Sequence, residues 1–474
     1  MNARRSSATV AVVSLGLLMG CAGDGPMPPP PGVTVSGSVR DRYGEPISGA
    51  SVLIKGKSAV TSGSDGTFSI ADVVTPYDLT VILRAQNTAL VYKGLTRLDP
   101  SVFYPGATGA ERTATISGTA PPASDRVTGV VFVSSAGYAF GAGPADATTG
   151  KYAFTVSWNG SGDTYAGQVY LLRWALDAAR LLPSSYDGYA SKPLTIHAGG
   201  DFPGNDFAAV EVSDPAEQSI SGTIAVPASY ALKYRRMYVL FDGRGGLYWE
   251  EAAANATTNP LPSAFTYTVP ALSGSQDIVE AWAFDKSFRA LDGSGRWSSF
   301  FKTGISGNSV NISVPLATAQ PLFSPVDGAV SLDTTTSFTW GQGEGAGVNL
   351  FRVTPGDPSN PTFLVFTAGT ATKIPDLAGA GMSLPAGAGY SWEVVRTFPV
   401  MSMNDAASDG FRHLYNGESG DAGSTYSERF GFTTKTAAGT AFAASAAGPT
   451  AAVAEGADRR GFVMRAEAVA IAPR

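Results

Sequence analysis

The chain has 474 residues, of which 44% are hydrophobic and only 15% charged, and its formal net charge is −6. Because this length exceeds what one hydrophobic core supports, we expect several domains. The acidic balance, with no basic stripe in the sequence, argues against nucleic acid as a partner. The 56 glycines, 31 prolines, 24 phenylalanines and 18 tyrosines favour an all-β chain of short strands joined by tight turns.

The N-terminus has the pattern of a secretory signal peptide over residues 1–20. Arg4 and Arg5 precede an apolar stretch at 8–19, which is too short to span a bilayer. The single cysteine, Cys21, follows directly after Leu-Met-Gly. This arrangement resembles the lipobox of bacterial lipoproteins, and the resemblance implies that the chain is cleaved before Cys21 and acylated on its thiol.

Acylation at Cys21 would anchor the protein to a membrane without spanning it. Ala22 follows the cysteine where aspartate would favour inner-membrane retention, so the same resemblance implies the outer membrane of the cell envelope. The alternative is an ordinary secretory signal with an incidental cysteine, which would leave an unpaired thiol in an exported protein. With one cysteine in the chain, no internal disulfide can form.

A proline-rich segment at 21–32 predicts an extended linker between the anchor and the first domain. The alternation of residues at 33–39 predicts a strand. A second strand is predicted at 50–54, and the Asp-Gly turn at 65–66 leads into a third. These elements predict a first β-sandwich, module 1, over residues 33–112.

Module 1 resembles a known family through three segments that agree in order and spacing, at residues 37–41, 44–52 and 65–70. They are similar to the carboxypeptidase regulatory-like domain, a small transthyretin-like β-sandwich. The resemblance implies architecture and no catalytic residues. Asp41 and Asp65 match the turn aspartates of that family, with cation binding as the alternative role.

An internal repeat follows module 1. Ile-Ser-Gly-Thr at 116–119 recurs at 220–223, and Trp-Ala-x-Asp at 174–177 recurs at 282–285. Two matches in the same order predict two related β-sandwiches, module 2 over residues 113–215 and module 3 over residues 216–317. We expect each repeat to carry its own core and to fold alone. The Val-Ser-Gly-Ser segment in module 1 is a weaker third match to the opening strand.

Module 4, predicted over residues 318–435, resembles a fibronectin type III or related immunoglobulin-like β-sandwich. Trp340 stands at the position of the core tryptophan and Tyr390 near the tyrosine corner. A segment at 399–426, rich in Met, Asp, Gly and Ser, departs from the compact pattern. From residue 436 to 474 alanine dominates, which predicts a disordered tail. No segment of the chain has a convincing helical period.

The chemistry-bearing residues are sparse. The two histidines, His197 and His413, have no second metal ligand at a recognisable spacing, and no glycine-rich loop opens a nucleotide site. We therefore expect no metal, no cofactor and no catalysis. A pair of carboxylates of the glycosidase type remains as an alternative. Asp177 and Asp285, after the shared tryptophans, are interpreted as turn caps, with a cation site as the alternative.

Aromatic residues supply the one ligand-binding hypothesis. Tyr186, Tyr189 and Trp297 follow the repeated Trp-Ala-x-Asp elements at similar distances. If exposed, these rings would stack on sugars; the alternative is that they pack into cores or between modules. The sequence as a whole predicts tandem β-sandwiches in a non-catalytic, lipid-anchored envelope protein that acts as a surface scaffold, adhesin or ligand-binding array. Its expected partners are the membrane and a polysaccharide or protein ligand, with a carbohydrate-binding protein, or a glycan- or peptide-processing enzyme, as alternatives.

Overall fold

The structure is a computed structural model, and it describes residues 32–135, 138–177, 179–255, 258–285, 295–416 and 420–436. The predicted signal peptide, Cys21, the linker before Gly32 and residues 437–474 of the predicted tail lie outside the described residues. The all-β prediction is confirmed: strands form tandem sandwiches, and the described residues contain only two short α-helices and two 3₁₀ turns.

The first three modules each contribute seven strands. Module 1 contains β1 (Val33–Arg40), β2 (Ser51–Ile54), β3 (Val60–Thr61), β4 (Thr67–Val73), β5 (Tyr77–Leu83), β6 (Thr88–Leu95) and β7 (Ser101–Phe103). Module 2 contains β8 (Glu111–Thr119), β9 (Val127–Ser134), β10 (Phe140–Ala145), β11 (Lys151–Asn159), β12 (Thr164–Asp177), β13 (Leu182–His197) and β14 (Asp201–Phe202). Module 3 contains β15 (Glu217–Ala225), β16 (Tyr230–Phe241), β17 (Gly245–Ala252), β18 (Ala264–Pro270), β19 (Gln276–Asp285), β20 (Trp297–Ile305) and β21 (Ile312–Pro315).

All three modules share one strand order. In each, the fourth, first and seventh strands form one layer, as β4-β1-β7, β11-β8-β14 and β18-β15-β21. The third, second, fifth and sixth strands form the other layer, as β3-β2-β5-β6, β10-β9-β12-β13 and β17-β16-β19-β20. In module 2 the two layers are joined into one seven-stranded sheet, because β10 also pairs with β11 at Phe140 and Ser157. The seventh strand runs parallel to the first in every module. The weak match of the opening strand of module 1 to those of modules 2 and 3 therefore corresponds to a common topology.

The repeated Ser-Gly pair has a packing explanation. Its glycines stand opposite an aromatic residue of the fourth strand, in the pairs Gly37 with Phe68, Gly118 with Tyr152 and Gly222 with Phe265. A Cβ atom on these glycines would lie 2.3 Å from the carbonyl oxygen of Pro100, 2.6 Å from that of Asn205 and 2.1 Å from that of Ile312. Only glycine allows the chain at the seventh strand to approach the first so closely.

Module 4 contains β22 (Leu322–Ser324), β23 (Ala329–Leu332), β24 (Phe338–Trp340), β25 (Val348–Pro355), β26 (Thr362–Thr367), β27 (Ala371–Thr372), β28 (Gly389–Phe398), β29 (Ala422–Tyr426) and β30 (Phe430–Thr434). Trp340 is buried in its core, as predicted. Its larger layer is extended on both sides: β26 pairs in parallel with β6 of module 1, and β29 pairs antiparallel with β20 of module 3. A single sheet therefore runs through modules 3, 4 and 1.

The segment at 399–426 has a structural role that the sequence did not indicate. It contains the helices α1 (Met403–Ala406) and α2 (Asp409–Tyr415), which lie against module 1. Asn404 Oδ1 accepts the backbone N–H groups of Thr96 and Arg97, each at 3.0 Å, and Phe411 packs on Phe103. This helical segment therefore fastens module 4 to module 1.

Three of the hydrophobic clusters among the described residues cross the predicted module boundaries. One cluster joins side chains of modules 2 and 3, and another joins modules 1 and 4. At the first of these contacts, Trp174 meets Trp249 edge to face at 5.2 Å, and Tyr170 stacks on Phe241 at 4.4 Å. Module 2 also has a core of its own, around Phe132 and Trp158. That each repeat folds alone stays a prediction, and isolating either one would expose the shared cluster.

We predict that a fragment of residues 113–317 melts cooperatively at a higher temperature than fragments 113–215 and 216–317. The reason is that separation returns the shared apolar surface to water. Circular dichroism melting of the three fragments measures this. Trp249→Ala in the joined fragment should lower its melting temperature towards those of the halves, and equal melting of all three fragments would contradict the shared core.

We also predict that Gly118→Ala and Gly222→Ala each destabilise the protein by about 1 to 3 kcal/mol, because the added methyl group overlaps a backbone carbonyl. Urea unfolding measures the loss. Gly379→Ala is the matched control, since no atom lies within 4 Å of its added Cβ, and its effect should stay within about 0.5 kcal/mol. Equal effects at the three positions would remove the packing explanation for the repeat.

Candidate functional site

The ring of Tyr186, predicted as a candidate sugar platform, lies in the core. Tyr186 is 2% exposed, its ring packs edge to face on Trp249 at 6.2 Å, and its hydroxyl donates to the carbonyl oxygen of Thr268 at 3.3 Å. Burial raises the pKa of Tyr186 well above its usual value. An exposed ring at this position is therefore ruled out, and the packing alternative holds.

Tyr189 lies at the outer edge of β13 and is half-buried. It packs against the same shared core, with its ring 6.4 Å from that of Tyr170. Its backbone exchanges two hydrogen bonds with Ser213, at 2.7 and 2.9 Å. Tyr189 therefore joins the segment between modules 2 and 3 to the sheet edge, and only part of its side chain faces solvent.

Trp297 belongs to the contact between modules 3 and 4. Its indole is stacked 3.5 Å from the ring of Tyr426 and 5.1 Å from that of Trp282. Since β20 lies between β19 and β29 in the sheet, these neighbours occupy both faces of the indole. Lys302 and Asp421 form an ion pair of 2.6 Å across the same contact. Trp297 therefore stabilises the contact and offers no free face for a sugar.

The aspartates considered as cation ligands bind protein donors. Asp41 is fully buried, its Oδ1 accepts the backbone N–H of Tyr43 at 2.9 Å and its Oδ2 accepts that of Thr108 at 3.0 Å. The other turn aspartates likewise accept hydrogen bonds from neighbouring residues or pair with arginine: Asp65, Asp177 and Asp285. Across the part of the chain that the structure describes, no three metal-ligating side chains come together.

A buried carboxyl group lies between modules 2 and 3. Asp277 is 6% exposed, and its Oδ1 has no hydrogen-bond partner among the described residues. The group lies within electrostatic range of Tyr186. Burial raises the pKa of Asp277 to about 7. The charged carboxylate is therefore disfavoured in this contact near neutral pH.

A groove of about 1100 Å³ crosses the outer face of module 2. Its floor is formed by β8 and β11, where small residues lie opposite one another, Ser117 paired with Ala153 and flanked by Gly118. Its rim comes from residues 144–148, which begin at the end of β10, and from Gly204 and Asp206. The outward hydroxyl groups on β8 follow from the alternation of residues along that strand. The rim residues are distant from β8 in the sequence, so the alternation did not predict a groove.

The polar groups of this groove are partly satisfied. Asp206 Oδ1 accepts the N–H and the hydroxyl of Thr119, both at 2.8 Å, and Asp146 Oδ1 accepts the N–H of Thr149 at 2.7 Å. Neither the second oxygen of these two carboxylates nor the ammonium of Lys151 has a partner within the described ranges. Arg126 is neutralised by Asp125 and Asp187, at 2.6 and 2.8 Å.

The comparisons with known proteins give no family. No protein-family profile and no curated protein matches the sequence. Among solved structures, the Bacillus anthracis TIE protein matches at 10% identity over 60% of this chain and 50% of its own, with a TM-score of 0.15. Sidekick-1 immunoglobulin domains 1–4 match at 7% identity over 86% of this chain and 95% of that chain, with a TM-score of 0.15.

The four N-terminal immunoglobulin domains of Dscam1 isoform 6.44 match at 10% identity over 83% of this chain and 96% of that chain, with a TM-score of 0.13. The chain spans half of the length of the TIE protein. At these scores the similarities carry no argument about function. None of the described helices is long and apolar enough to cross a membrane.

We predict that Asp277 makes the stability of the protein depend on pH. The pKa of about 7 in the folded protein exceeds that of an unfolded aspartate, about 3.9, so stability is full below about pH 4 and is lost as the pH rises through 7. Asp277→Asn should raise the free energy of unfolding by up to about 4 kcal/mol at pH 8 but only by up to about 1.5 kcal/mol at pH 5, so its melting temperature should gain more at pH 8. Asp72→Asn, at an exposed aspartate, is the control, and parallel pH profiles for wild type and Asp277→Asn would contradict the prediction.

Proposed function

We propose that the chain is a non-catalytic, lipid-anchored protein of the bacterial cell envelope whose four sandwiches act as one rigid scaffold. The observation that carries the scaffold is the pairing of module 4 at both edges, with β6 of module 1 and with β20 of module 3. Modules 2 and 3 share a core, and Glu45 of module 1 bonds to Ser161 of module 2 at 3.0 Å. Contacts therefore run in a closed circuit through all four modules.

The buried charges support a structural role. Arg180 of module 2 and Arg235 of module 3 both pair with Glu251, at 3.1 and 2.5 Å. Burial alone would raise the pKa of Glu251, but these arginines hold that pKa below its usual value. Glu393 in module 4 is likewise held ionised, by Arg352 at 2.9 Å, against its desolvation. A carboxylate fixed in its charged form serves as an ion-pair partner and not as a catalytic acid.

The topology supports an extension of the family resemblance. We propose that modules 1, 2 and 3 are copies of one transthyretin-like sandwich, because they share strand order and the glycine–aromatic pair of the first and fourth strands. We assign module 4 to the fibronectin type III or immunoglobulin-like class, with Trp340 and Tyr390 buried in its core. In this proposal all four modules build the scaffold and present its outer surfaces to ligands.

The anchor completes the proposal. An extended linker of the length of 21–32 spans about 35 Å at about 3.1 Å per residue, which keeps module 1 near the membrane. The resemblance of the N-terminus to lipoprotein signals favours the outer membrane. A scaffold or adhesin held in this way presents the outer faces of its modules to envelope ligands. A carbohydrate-binding surface protein is the second candidate, and the groove of module 2 favours it.

Metabolic labelling with a fatty-acid probe tests the anchor. The wild-type chain should be labelled and should sediment with membranes, because acylation of Cys21 supplies the apolar chains that hold it there. Cys21→Ser should lose both the label and the membrane association. The proposal fails if the variant is labelled equally and stays in the membrane fraction.

A further inference from the structure

The groove of module 2 has the dimensions and the chemistry of a ligand site. Its volume of about 1100 Å³ lies just above the usual range of small-molecule pockets, about 300 to 1000 Å³, and accommodates a short oligomer. Ser117 and Ala153 present small side chains to the groove, whose lining also includes Gly118 and the larger residues Arg126, Val127 and Tyr152. Ala153 is exposed and belongs to a regular, paired strand, which gives the floor a fixed shape.

The groups on the rim offer both donors and acceptors. Asp206 uses one carboxylate oxygen to bind Thr119 at the end of β8, and Asp146 uses one to hold its own loop. The second oxygen of each carboxylate is left as an acceptor. Lys151 supplies a donor directly beside Thr119, its cross-strand neighbour. Ser117 adds a hydroxyl that donates and accepts. Such alternation of donors and acceptors suits a ligand that carries many hydroxyl groups.

The charges select against other ligand classes. Asp206 and Asp146 outweigh the single unpaired ammonium of Lys151, because Arg126 is already bound by two aspartates. A phosphorylated or sulfated ligand would therefore meet repulsion. The floor carries no large exposed apolar side chain, so a hydrophobic ligand would gain little from burial there.

We infer that this groove binds a neutral oligosaccharide through hydrogen bonds from Asp146, Asp206, Lys151 and Ser117, with Ala153 as the floor on which the sugar lies. The site is distinct from the rings of Tyr186, Tyr189 and Trp297, which pack between modules. The inference rests on the second candidate function, a carbohydrate-binding surface protein, and assigns that binding to the groove of module 2. It depends neither on the lipid anchor nor on the closed circuit of modules.

The test uses the purified full chain, kept in detergent whether or not it is isolated from membranes. Fluorescently labelled maltotriose, cellotriose, chitotriose and mannotriose are titrated by fluorescence polarisation, beside a sulfated oligosaccharide and a Gly-Ser peptide. At least one neutral trisaccharide should bind with a Kd of about 1 mM or below. Because no ligand charge is involved, the Kd should change less than about twofold between low and high salt.

Two substitutions locate the site. Ala153→Arg places a long side chain on the floor and should weaken binding about tenfold or more, and Lys151→Met should weaken it while leaving the floor open. Both residues are exposed, so the melting temperature should stay at the wild-type value. Ala264→Arg, at the position in module 3 that corresponds to Lys151, is the matched control and should bind as the wild type does.

The inference is overturned if no neutral trisaccharide binds below about 10 mM, or if folded Ala153→Arg and Lys151→Met bind as tightly as the Ala264→Arg control. Binding of only the sulfated oligosaccharide, with strong salt dependence, or of only the peptide, would assign the groove to another ligand class and equally overturn it. Failure here leaves the anchor and the scaffold intact, since those are tested by labelling of Cys21 and by fragment melting.

Discussion

The architecture depends on how the open edges of the sheets are satisfied. An edge strand presents a row of unpaired backbone N–H and C=O groups, which must find partners or be blocked. In modules 1 and 3 the sixth strands, β6 and β20, find theirs on opposite sides of module 4. Consecutive domains joined only by linkers would move independently. This pairing instead fixes the first, third and fourth modules as one sheet and brings the two ends of the described chain into one body.

The sixth strand of module 2 shows the other solution to the same constraint. The edge of β13 is covered where Tyr189 exchanges hydrogen bonds with Ser213, and the N–H of Tyr186 is taken by Glu217 Oε1 at 2.7 Å. Pro193 lies four residues beyond Tyr189, on the same outward side of the strand, and has no N–H to offer. Three copies of one topology thus diverge at this edge: two extend a sheet, and one is closed by its own chain.

A buried polar network within module 4 holds the segment through which the chain enters it from module 3. Gln320 donates to Asn349 Oδ1 at 3.0 Å and accepts from Thr425, and Arg396 also donates to Asn349 Oδ1, at 3.3 Å. These groups are at most 2% exposed. A displacement of residues 316–321, which connect β21 to β22, would leave several buried donors without acceptors, which is costly in a low-dielectric interior. The network therefore fixes the direction in which module 4 leaves module 3, and with it the register of β29 beside β20.

The sequence by itself determined the all-β class, because short alternating stretches between tight turns can be recognised in neighbouring residues. It also showed the Ser-Gly repeat, but the packing role of that pair came from the structure, since the carbonyl groups that approach its glycines belong to distant residues. It also placed Trp340 in a core. Only the tertiary structure decided which modules touch, that Tyr186 is buried and that Trp297 is stacked on both faces, since an aromatic residue on a strand looks the same whether its ring meets solvent or another module. The groove of module 2 was equally hidden, because its floor lies on two strands while Asp146 and Asp206 reach its rim from separate loops. Contacts between distant segments depend on the shapes of the modules and on which strand edges pair. These features leave no repeating pattern of residues that could be recognised in a single sequence.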